Sequence, residues 1–591
     1  MSDPKTELTR LLQTALASVA PEAADTPIQL ERPREATFGD FASNLALQLA
    51  HHLKKNPREL AARLIAELPV SALVKKAEVA GAGFINFTLD ESARHAAIVD
   101  TLEAGADYGR STLGQGEKAL VEFVSANPTG PLHVGHGRGA AYGASLSSLL
   151  AFAGWDITRE YYVNDAGRQM DILAISTWLR YLEDFGEGVP FPPNGYQGDY
   201  VRRMAEQLQD AQGERFLRRA DLVLEGTPGL PDETRKDDDA KAQRERHLDA
   251  LIANGKKLLG EDWHVVHQHV LTEQLADGRG DLEEFGVQFD IWFSEKALFD
   301  TGLVARCVKK LEAAGHLYVQ DGAKWFKSTA FGDEKDRVVQ RENGIYTYFA
   351  SDIAYHLNKY ERGFTRLINI WGADHHGYIP RVKGAIHALG CNPDPLDVVL
   401  VQFAVLYRNG QKVSMSTRSG EFVTLRALRN EVGNDACRFF YVLRKADQHL
   451  DFDLDLARRQ SSENPVYYIQ YAHARIASVL REWGGETANL RHADLGQLGD
   501  ACETALIGRI AQFPEVIEAA ARDYAPHQVA FYLKELAAEF HTWYHHDRIL
   551  SRPDKPLEAA LQQARLALAA ATRQVIHNGL TLLGVSCPEQ M

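Results

Sequence analysis

One stretch of the chain, from Ala119 to Gly154, constrains the fold more than any other. Its opening residues are almost all apolar or β-favouring, which is typical of a buried parallel strand. A loop of breaker residues follows, a helix rich in Gly and Ala begins near His133, and Ile157 to Val163 reads as a second strand. The stretch therefore predicts a βαβ unit, in which the loop and the helix N-terminus form a site for phosphate oxygens.

Two histidines, His133 and His136, mark the start of this helix. They are three residues apart, so their imidazoles share one face, and both can donate hydrogen bonds to a phosphate. Gly135 removes a side chain where a nucleotide would approach, and Pro128 and Pro131 stiffen the loop before it. This arrangement predicts a nucleotide site.

Two other interpretations of the same residues stay open at this point. The helix could simply pack tightly on a sheet, with two incidental histidines. Alternatively, Gly135-x-Gly137-x-x-Ala140 fits a dinucleotide-binding fingerprint, with Asp156 as its later acid. That fingerprint explains neither the histidines nor the prolines.

At these residues the chain resembles class I aminoacyl-tRNA synthetases, whose ATP-binding motif is His-x-Gly-His. The longer string EFVSANPTGPLHVGHGR is similar to arginyl-tRNA synthetases in particular. The resemblance implies an α/β fold: a Rossmann-type parallel-sheet catalytic domain with an N-terminal α+β domain and a C-terminal all-α helical bundle. It also implies that His133 and His136 are catalytic and that ATP contacts Pro131, Gly135, His136 and Gly137.

Composition limits the class of protein. The 591 residues are 45% hydrophobic and 25% charged, which is ordinary for a globular chain of several domains. The start, MSDPKTELTRLL, has no apolar signal-peptide core and no run approaches membrane-span length, so we expect a cytoplasmic protein without membrane contact. Its five cysteines lie far apart with no Cys-x-x-Cys pair, which disfavours a disulfide framework or a thiolate zinc site.

The net charge of −15 counts against nonspecific binding of nucleic acid over the whole surface. It is compatible with tRNA contacts through local basic stripes. A monomer is expected.

Residues 1–112 are predicted to form a separate α+β module. Helical spacing of apolar residues runs from Thr6 to Val19 and from Asp40 to Lys54, and Val79 to Leu89 reads as strand and turn. The resemblance implies that this module contacts the elbow of a tRNA, with Phe84 and Asn86 offering a stacking face and an amide. The alternative is a strand whose phenylalanines face the core.

Residues 113–455 are predicted to be the catalytic domain, interrupted by an insertion at about 187–345. In its second half Tyr348 and Asp352 are four residues apart and would share a helix face. A carboxylate suits a guanidinium because it accepts two parallel hydrogen bonds. The resemblance assigns an arginine pocket to the following residues: Glu122, Ser125, Asn127, His133, Tyr348 and Asp352. Simple solvent exposure is the alternative for Asp352.

A further strand, Leu367 to Trp371, precedes the loop Gly372-Ala373-Asp374-His375-His376 and should end beside the first loop. The resemblance gives Gly372, Asp374 and His376 contacts with ATP. An Asp with two His also suggests a metal, but the usual fourth ligand is missing, so no zinc is expected.

The last catalytic motif follows a hairpin signal at Arg408-Asn409-Gly410-Gln411. Class I synthetases carry a Lys-Met-Ser-Lys-Ser loop here, which binds the ATP phosphates as pyrophosphate leaves. Met415 and Ser416 match it, whereas Ser414 stands in place of the first lysine, Lys412 comes two residues earlier, and Thr417-Arg418 replaces the Lys-Ser pair. Whether Lys412, Arg418 or a cation elsewhere balances the pyrophosphate stays open.

Residues 456–591 are predicted to be helical and resemble the anticodon-binding domain of the family. Tyr471, Arg475 and Met591 are the candidates for contacts with anticodon-loop bases.

The implied reaction uses ATP with Mg²⁺, arginine and an arginine-accepting tRNA, and in the family adenylate formation usually requires bound tRNA. Two other classes stay open. One is a different class I enzyme, such as a cysteinyl synthetase, disfavoured because its zinc thiolates are absent. The other is a noncatalytic paralogue that binds tRNA, disfavoured by the retained histidines.

Overall fold

The computed structural model describes residues 4–33, 36–232, 234–413 and 423–591. At the N-terminal end a mixed module contains an antiparallel sheet in the order β1-β2-β4-β3, covered by helices. Its elements are α1 (Pro4–Val19), β1 (Leu30–Glu31), β2 (Phe41–Ser43), α2 (Leu45–Leu53), α3 (Pro57–Ala66), β3 (Val74–Ala80), β4 (Phe84–Leu89) and α4 (Glu91–Ala104).

The N-terminal module has a hydrophobic core of its own, which extends from Leu8 to Leu89. Helix α4 packs elsewhere, because its Ala97 and Ile98 belong to the large core shared by the rest of the chain. The predicted single helix from Asp40 to Lys54 was wrong in its first turn, where β2 pairs with β4 before α2 begins. The domain boundary at residue 112 stays a prediction.

The catalytic region is built on a parallel sheet in the order β12-β11-β5-β6-β7, which confirms the predicted Rossmann-type fold. Its first half contains β5 (Lys118–Glu122), α5 (Val134–Phe152), β6 (Asp156–Val163) and α6 (Arg168–Asp184). The predicted βαβ unit is therefore present, and α5 crosses between two neighbouring parallel strands.

Helices and a strand follow in the segment expected to be an insertion. They are α7 (Asp199–Gln212), α8 (Ala220–Val223), α9 (Asp238–Leu259), α10 (Asp262–Glu284), β7 (Ile291–Ser294), α11 (Glu295–Asp300), α12 (Leu303–Ala313), β8 (Leu317–Gln320), β9 (Ala323–Phe326) and β10 (Arg337–Gln340). Strand β7 pairs in parallel with β6 and so belongs to the main sheet. Strands β10, β9 and β8 form a small antiparallel sheet.

The second half of the catalytic region carries the remaining strands of the main sheet and a small sheet in the order β14-β13-β15. Its elements are α13 (Tyr348–Glu361), β11 (Arg366–Gly372), α14 (Ile379–Ala388), β12 (Leu396–Val401), β13 (Ala404–Arg408), β14 (Gln411–Lys412), α15 (Leu425–Val432), α16 (Asn434–Val442), β15 (Leu450–Asp453) and α17 (Leu454–Arg458). The predicted hairpin is confirmed: Asn409 and Gly410 link β13 to β14 with φ of 51° and 72°.

The C-terminal region is a helical bundle, as predicted. It consists of α18 (Pro465–Trp483), α19 (Ala501–Ala511), α20 (Phe513–Arg522), α21 (Pro526–His546) and α22 (Ala559–Leu582). Its buried residues are continuous with those of the catalytic region. In the described ranges, no helix has both the length and the apolar character needed to cross a lipid bilayer.

Candidate active site

A row of polar side chains crosses the main sheet near the carboxyl ends of its strands. Asn369 of β11, Glu122 of β5 and Glu160 of β6 are neighbours in register, and each is buried. Residues in register on parallel strands point to the same face. Helix α13 covers this face with side chains that are three or four residues apart, such as His356 and Lys359. The carboxyl edge of the sheet therefore holds a buried polar site, where ligands bind in such folds.

The two histidines form the N-terminus of α5. His133 is the N-cap residue; its Nδ1 accepts a hydrogen bond from the Gly135 N–H at 3.1 Å. The Nδ1 of His136 accepts from the His133 N–H at 3.3 Å, and the two rings stack with centroids 3.7 Å apart. Because each Nδ1 accepts, each neutral ring must have its proton on Nε2.

Burial keeps these rings neutral. It lowers the pKa of His133, and it lowers the pKa of His136 to about 3, with the neighbouring His133 contributing in the same direction. A neutral imidazole with a proton on Nε2 is a hydrogen-bond donor that adds no charge. The pair is thus oriented to donate to phosphate oxygens at a helix N-terminus.

At two glycines of α5 an added side chain would be crowded by its neighbours. A side chain at Gly135 would lie 2.9 Å from the His133 ring and 3.6 Å from Phe403. At Gly137 it would lie 2.7 Å from Leu425 and 2.9 Å from the Tyr441 hydroxyl. Packing therefore requires a glycine at the buried position 137. The contact of Gly137 with ATP stays a prediction.

Phe403, next to Gly135, was not singled out from the sequence. Its ring is 52% exposed although large aromatic side chains are usually buried. It follows β12 at the same edge of the sheet. An exposed ring beside the histidine loop offers a flat apolar face to a ligand.

A cavity of about 630 Å³ lies against the histidine loop. Asn127, Pro131, His133 and His136 line one side. The opposite side comes from the segment after α6, where the Tyr200 hydroxyl donates to the Thr129 carbonyl at 2.7 Å. The cavity is large enough for part of a nucleotide.

The segment after the hairpin returns to the histidine loop. The Val134 N–H donates to the Val423 carbonyl at 3.2 Å, and the Leu425 N–H donates to the Leu132 carbonyl at 2.8 Å. Lys412 is exposed at the end of the hairpin. Three predicted site residues, Met415, Ser416 and Arg418, lie outside the described residues, as does Ser414.

Asp352 lies on α13, which begins at Tyr348, so the predicted shared helix is confirmed. Tyr348 is 57% exposed, whereas the Asp352 carboxylate accepts a hydrogen bond from the Tyr378 hydroxyl. Burial raises the pKa of Asp352 to about 7; the Tyr378 bond opposes this rise, and the Glu122 charge adds to it. The alternative of a simply solvent-exposed Asp352 was wrong, because Asp352 is half-buried, accepts from Tyr378 and lies in an acidic pocket.

Glu295 is a second carboxyl of this pocket, and no role was predicted for it. It is 2% exposed. Its Oε1 accepts from the Ser351 hydroxyl at 3.0 Å, and its Oε2 forms no hydrogen bond of normal geometry among the described residues, although the nearby Tyr162 hydroxyl opposes the rise in the pKa of Glu295. Burial raises the pKa of Glu295 to about 7, and the charges of Asp352 and Asp165 add to the rise. A buried acceptor without a hydrogen bond of normal geometry is rare and suggests a ligand position.

The remaining predicted arginine contacts differ in accessibility. Glu122 is buried; its Oε2 accepts from Lys359 at 2.5 Å and its Oε1 from the Ser125 hydroxyl at 3.1 Å. Asn127 is exposed and donates to the Gln169 side chain at 2.8 Å. Glu122 therefore already has a cation partner, unlike Asp352.

The loop after β11 lies at the same edge, as predicted. Gly372 ends the strand, and Asp374 and His376 are exposed in a short 3₁₀ turn. The end of this turn supplies Tyr378, which donates to Asp352 in the acidic pocket. Within the described ranges, one group has metal-ligand spacing, and it lies elsewhere, in the C-terminal bundle: Asp500, Cys502 and His546.

The predicted tRNA contacts fall into two groups. Phe84 is 41% exposed, but Asn86 is 6% exposed within the N-terminal sheet, where its amide is largely covered. On α18 the guanidinium of Arg475 lies 4.5 Å from the centre of the Tyr471 ring and donates to its hydroxyl at 2.7 Å. Met591 is 50% exposed. All these tRNA roles stay predictions.

The parallel sheet, its crossover helix and the paired imidazoles are those of a class I aminoacyl-tRNA synthetase. Residues 98–187 and 236–450 match the tRNA synthetases class I (R) catalytic domain, residues 6–89 the arginyl tRNA synthetase N-terminal domain, and residues 469–591 the DALR anticodon binding domain. The chain belongs to the arginyl-tRNA synthetase family.

Similar full-length proteins support this conclusion. Proteins named arginine–tRNA ligase from Dechloromonas aromatica and Azoarcus sp. are each 70% identical over 589 and 591 residues, and the alignments cover 100% of both chains. The solved arginyl-tRNA synthetase of Thermus thermophilus shares the fold, with a TM-score of 0.72 at 22% identity over 99% of this chain and 100% of that one. The family membership argues against the dinucleotide-binding and cysteinyl alternatives.

Proposed function

We propose that the protein joins arginine to tRNA at the expense of ATP. A carboxylate oxygen of arginine attacks the α-phosphorus of ATP, which gives arginyl-adenylate and pyrophosphate. A hydroxyl of the terminal tRNA ribose then takes the arginyl group and AMP leaves. One observation carries the proposal: a phosphate-binding imidazole pair and a pocket of carboxyls without cation partners lie at the same edge of one sheet.

Arginine binding is assigned to the acidic pocket. Its guanidinium carries a permanent charge and planar donors that match carboxylates. Asp352 and Glu295 supply such acceptors, and the exposed Tyr348 begins the helix that carries Asp352. Glu122, Ser125 and Asn127 then hold the amino-acid end near the histidine loop.

ATP binding is assigned to the N-terminus of α5. The residues present fit a polyphosphate, since the Nε2 protons of His133 and His136 are donors at a helix N-terminus beside a cavity of about 630 Å³. Phe403 offers a face to the base, and Gly372, Asp374 and His376 offer further contacts. Mg²⁺ accompanies the phosphates, and Lys412 and the loop with Met415, Ser416 and Arg418 balance the pyrophosphate. Catalysis is then mostly alignment and charge stabilisation.

Transfer RNA is assigned to the two terminal regions. The N-terminal domain, residues 1–112, presents Phe84 to the elbow, and residues 456–591 present Tyr471, Arg475 and Met591 to the anticodon loop. The stacked Tyr471 and Arg475 are a surface on which bases can stack. We also propose that the protein is cytoplasmic and monomeric. Light scattering of the purified protein tests the monomeric state.

Aminoacylation of total tRNA with each amino acid in turn tests the function. Arginine alone should be attached, and pyrophosphate exchange should need both arginine and added tRNA. The variant H136N, which removes the Nε2 donor of one imidazole, should lose exchange while keeping the thermal transition. Charging of another amino acid, or tRNA binding with no exchange at all, would contradict the proposal.

A further inference from the structure

Lys359 occupies the centre of the polar row on the main sheet, and no substrate role has been given to it above. Its side chain is fully buried. The ammonium donates to Glu122 Oε2 at 2.5 Å and to Asn369 Oδ1 at 2.8 Å, and it lies 4.2 Å from the centre of the Tyr355 ring. Helix α13 is thereby joined to both β5 and β11.

The contacts continue from Asn369 back to α13. The Asn369 amide nitrogen donates to His356 Nε2, with the two atoms 2.7 Å apart, and His356 Nδ1 donates to the Asp352 main-chain carbonyl at 2.8 Å. Burial lowers the pKa of His356 to about 3, so the ring is neutral, and it accepts at one nitrogen and donates at the other. Every donor in this chain therefore points from Lys359 towards Asp352.

The two ends of this series of hydrogen bonds are Glu122 and Asp352, which are residues of the proposed arginine pocket. Lys359 holds the Glu122 carboxylate, which lies on the strand that leads into the histidine loop. His356 holds the turn of α13 that presents Asp352. The chain thus connects the helix that carries the arginine pocket to the strand that leads to the proposed ATP site.

Stability alone does not account for such a chain. Taking an ammonium and a carboxylate out of water costs about as much as their pairing returns, and apolar residues of similar size often do as well. A fully connected polar network specifies one arrangement of the elements it joins, which is what a reaction between two bound substrates requires.

We infer that Lys359, Asn369 and His356 are positioning residues that hold Glu122 and Asp352 in place, so that bound arginine is aligned with the α-phosphate of ATP. The inference rests on the proposed function. It adds a role for Lys359 in balancing charge: with Glu122 paired to Lys359, the pocket keeps its unpaired carboxyls for the single charge of a guanidinium.

Two variants test the inference. K359M removes the ammonium, and N369L breaks the chain while leaving the Lys359–Glu122 contact. We expect the KM for arginine in tRNA-dependent pyrophosphate exchange to rise about 30-fold in K359M and about 5-fold in N369L, with the KM for ATP changed less than about twofold. Calorimetry of arginine binding to the free enzyme should show the same order.

A remote buried ion pair supplies the control. In the C-terminal bundle Arg565 donates to Glu503 at 2.8 Å, with side chains 10% and 1% exposed. R565M should lower the melting temperature, as K359M does, while arginine affinity stays within about twofold of the unaltered enzyme.

The outcomes separate the inference from the function. Unchanged arginine affinity in folded K359M, a parallel rise of both KM values, or an equal loss of affinity in R565M would overturn the positioning role. If K359M does not fold, N369L decides on the same criteria. Absence of arginine-dependent activity in the unaltered enzyme would instead refute the proposed function.

Discussion

Charged side chains are removed from solvent in two regions of this molecule, and the regions differ in how fully the protein supplies their hydrogen-bond partners. At the junction with the C-terminal bundle, Arg438 is 2% exposed and donates to the Leu583, Phe285 and Gly286 carbonyls at 2.9–3.2 Å. Arg138, on α5, donates to three other carbonyls at 2.7–2.8 Å. Burial lowers the pKa of each arginine to about 10, so both remain charged at neutral pH.

In the acidic pocket the charged groups are the buried Glu295 and the half-buried Asp352, and their partner sets are incomplete. Asp352 and Glu295 form no ion pair with any residue in the described ranges, and Glu295 Oε2 forms no hydrogen bond of normal geometry there. Burial raises the pKa of each carboxyl to about 7. These acids are therefore partly protonated near neutral pH.

This difference distinguishes structural charges from ligand-binding charges in this fold. A structural charge is surrounded by partners within the protein. Its hydrogen bonds to them offset most of the desolvation free energy that its burial costs. A ligand-binding charge leaves part of its hydrogen-bonding capacity unused until the ligand arrives. Glu160 belongs to the first kind, because Arg362 donates to it at 2.5 Å.

Replacing Asp352 should have the largest effect. D352N should weaken arginine binding by about 100-fold or more, because the guanidinium loses a buried charged partner. The stability of the free enzyme should change in the opposite direction. The pKa of Asp352 is about 7 in the fold and about 4 in an unfolded chain, so the fold binds its proton more tightly, and stability is lost as pH rises from about 4 to 7.

An amide avoids that loss, so D352N without arginine should melt at a higher temperature than the unaltered enzyme at pH 8 and at the same temperature at pH 4. Scanning calorimetry with and without arginine measures both effects. Asp333 is the matched control: Arg337 and Arg381 donate to it at 2.7 and 3.2 Å, and the Arg337 bond helps to lower the pKa of its carboxyl to about 2. D333N should therefore lower the melting temperature at pH 8. A fall in D352N as well would contradict the comparison.

Arg438 should show the converse pattern. R438M leaves the carbonyls of Leu583, Phe285 and Gly286 without their donor, so the free energy of unfolding should fall by about 2–4 kcal/mol. Arginine affinity should remain unchanged, because the three carbonyls that Arg438 contacts belong to residues outside the set assigned to the pocket. Denaturant unfolding and calorimetric titration of the same preparation decide the case. Reduced arginine affinity in a folded R438M would show that the two regions are coupled.

Much of the fold followed from local patterns in the sequence. The βαβ unit, the hairpin at Asn409-Gly410 and the C-terminal helices were predicted correctly, because each depends on periodicity or turn chemistry over a few residues. The strand β7 was missed because it is four residues long and pairs with β6, which is distant in the chain. Pairing between distant segments leaves no local signal.

The site was predicted in the same uneven way. Resemblance gave Asp352 and Glu122, but not Glu295 or Tyr378, whose roles depend on how α11 and the turn after β11 approach α13. One signal was available: Glu122, Glu160 and Asn369 are polar residues within the segments that form β5, β6 and β11. Their alignment in register could only be known from the structure.

The raised pKa values predict how arginine affinity depends on pH. A carboxyl with a pKa of about 7 is mostly protonated at pH 6 and mostly ionised at pH 8, whereas a guanidinium is charged throughout. The dissociation constant of arginine should therefore fall about tenfold from pH 6 to pH 8, and further if Asp352 and Glu295 must both ionise. Isothermal titration in buffers of different ionisation enthalpy would also detect the released protons. A flat profile would show that the carboxyls are already ionised in the free enzyme.

Tyr378 should give the smallest effect. Its hydroxyl donates to Asp352 and opposes the rise in the pKa of that carboxyl, so Y378F should raise this pKa further. At pH 7 the variant should bind arginine about threefold more weakly, because a larger fraction of Asp352 is protonated, and the difference should vanish near pH 9. Titrations at the two pH values distinguish this from lost packing. A deficit that persists at pH 9 would mean that Tyr378 contacts arginine itself, and the pocket would then include the turn after β11.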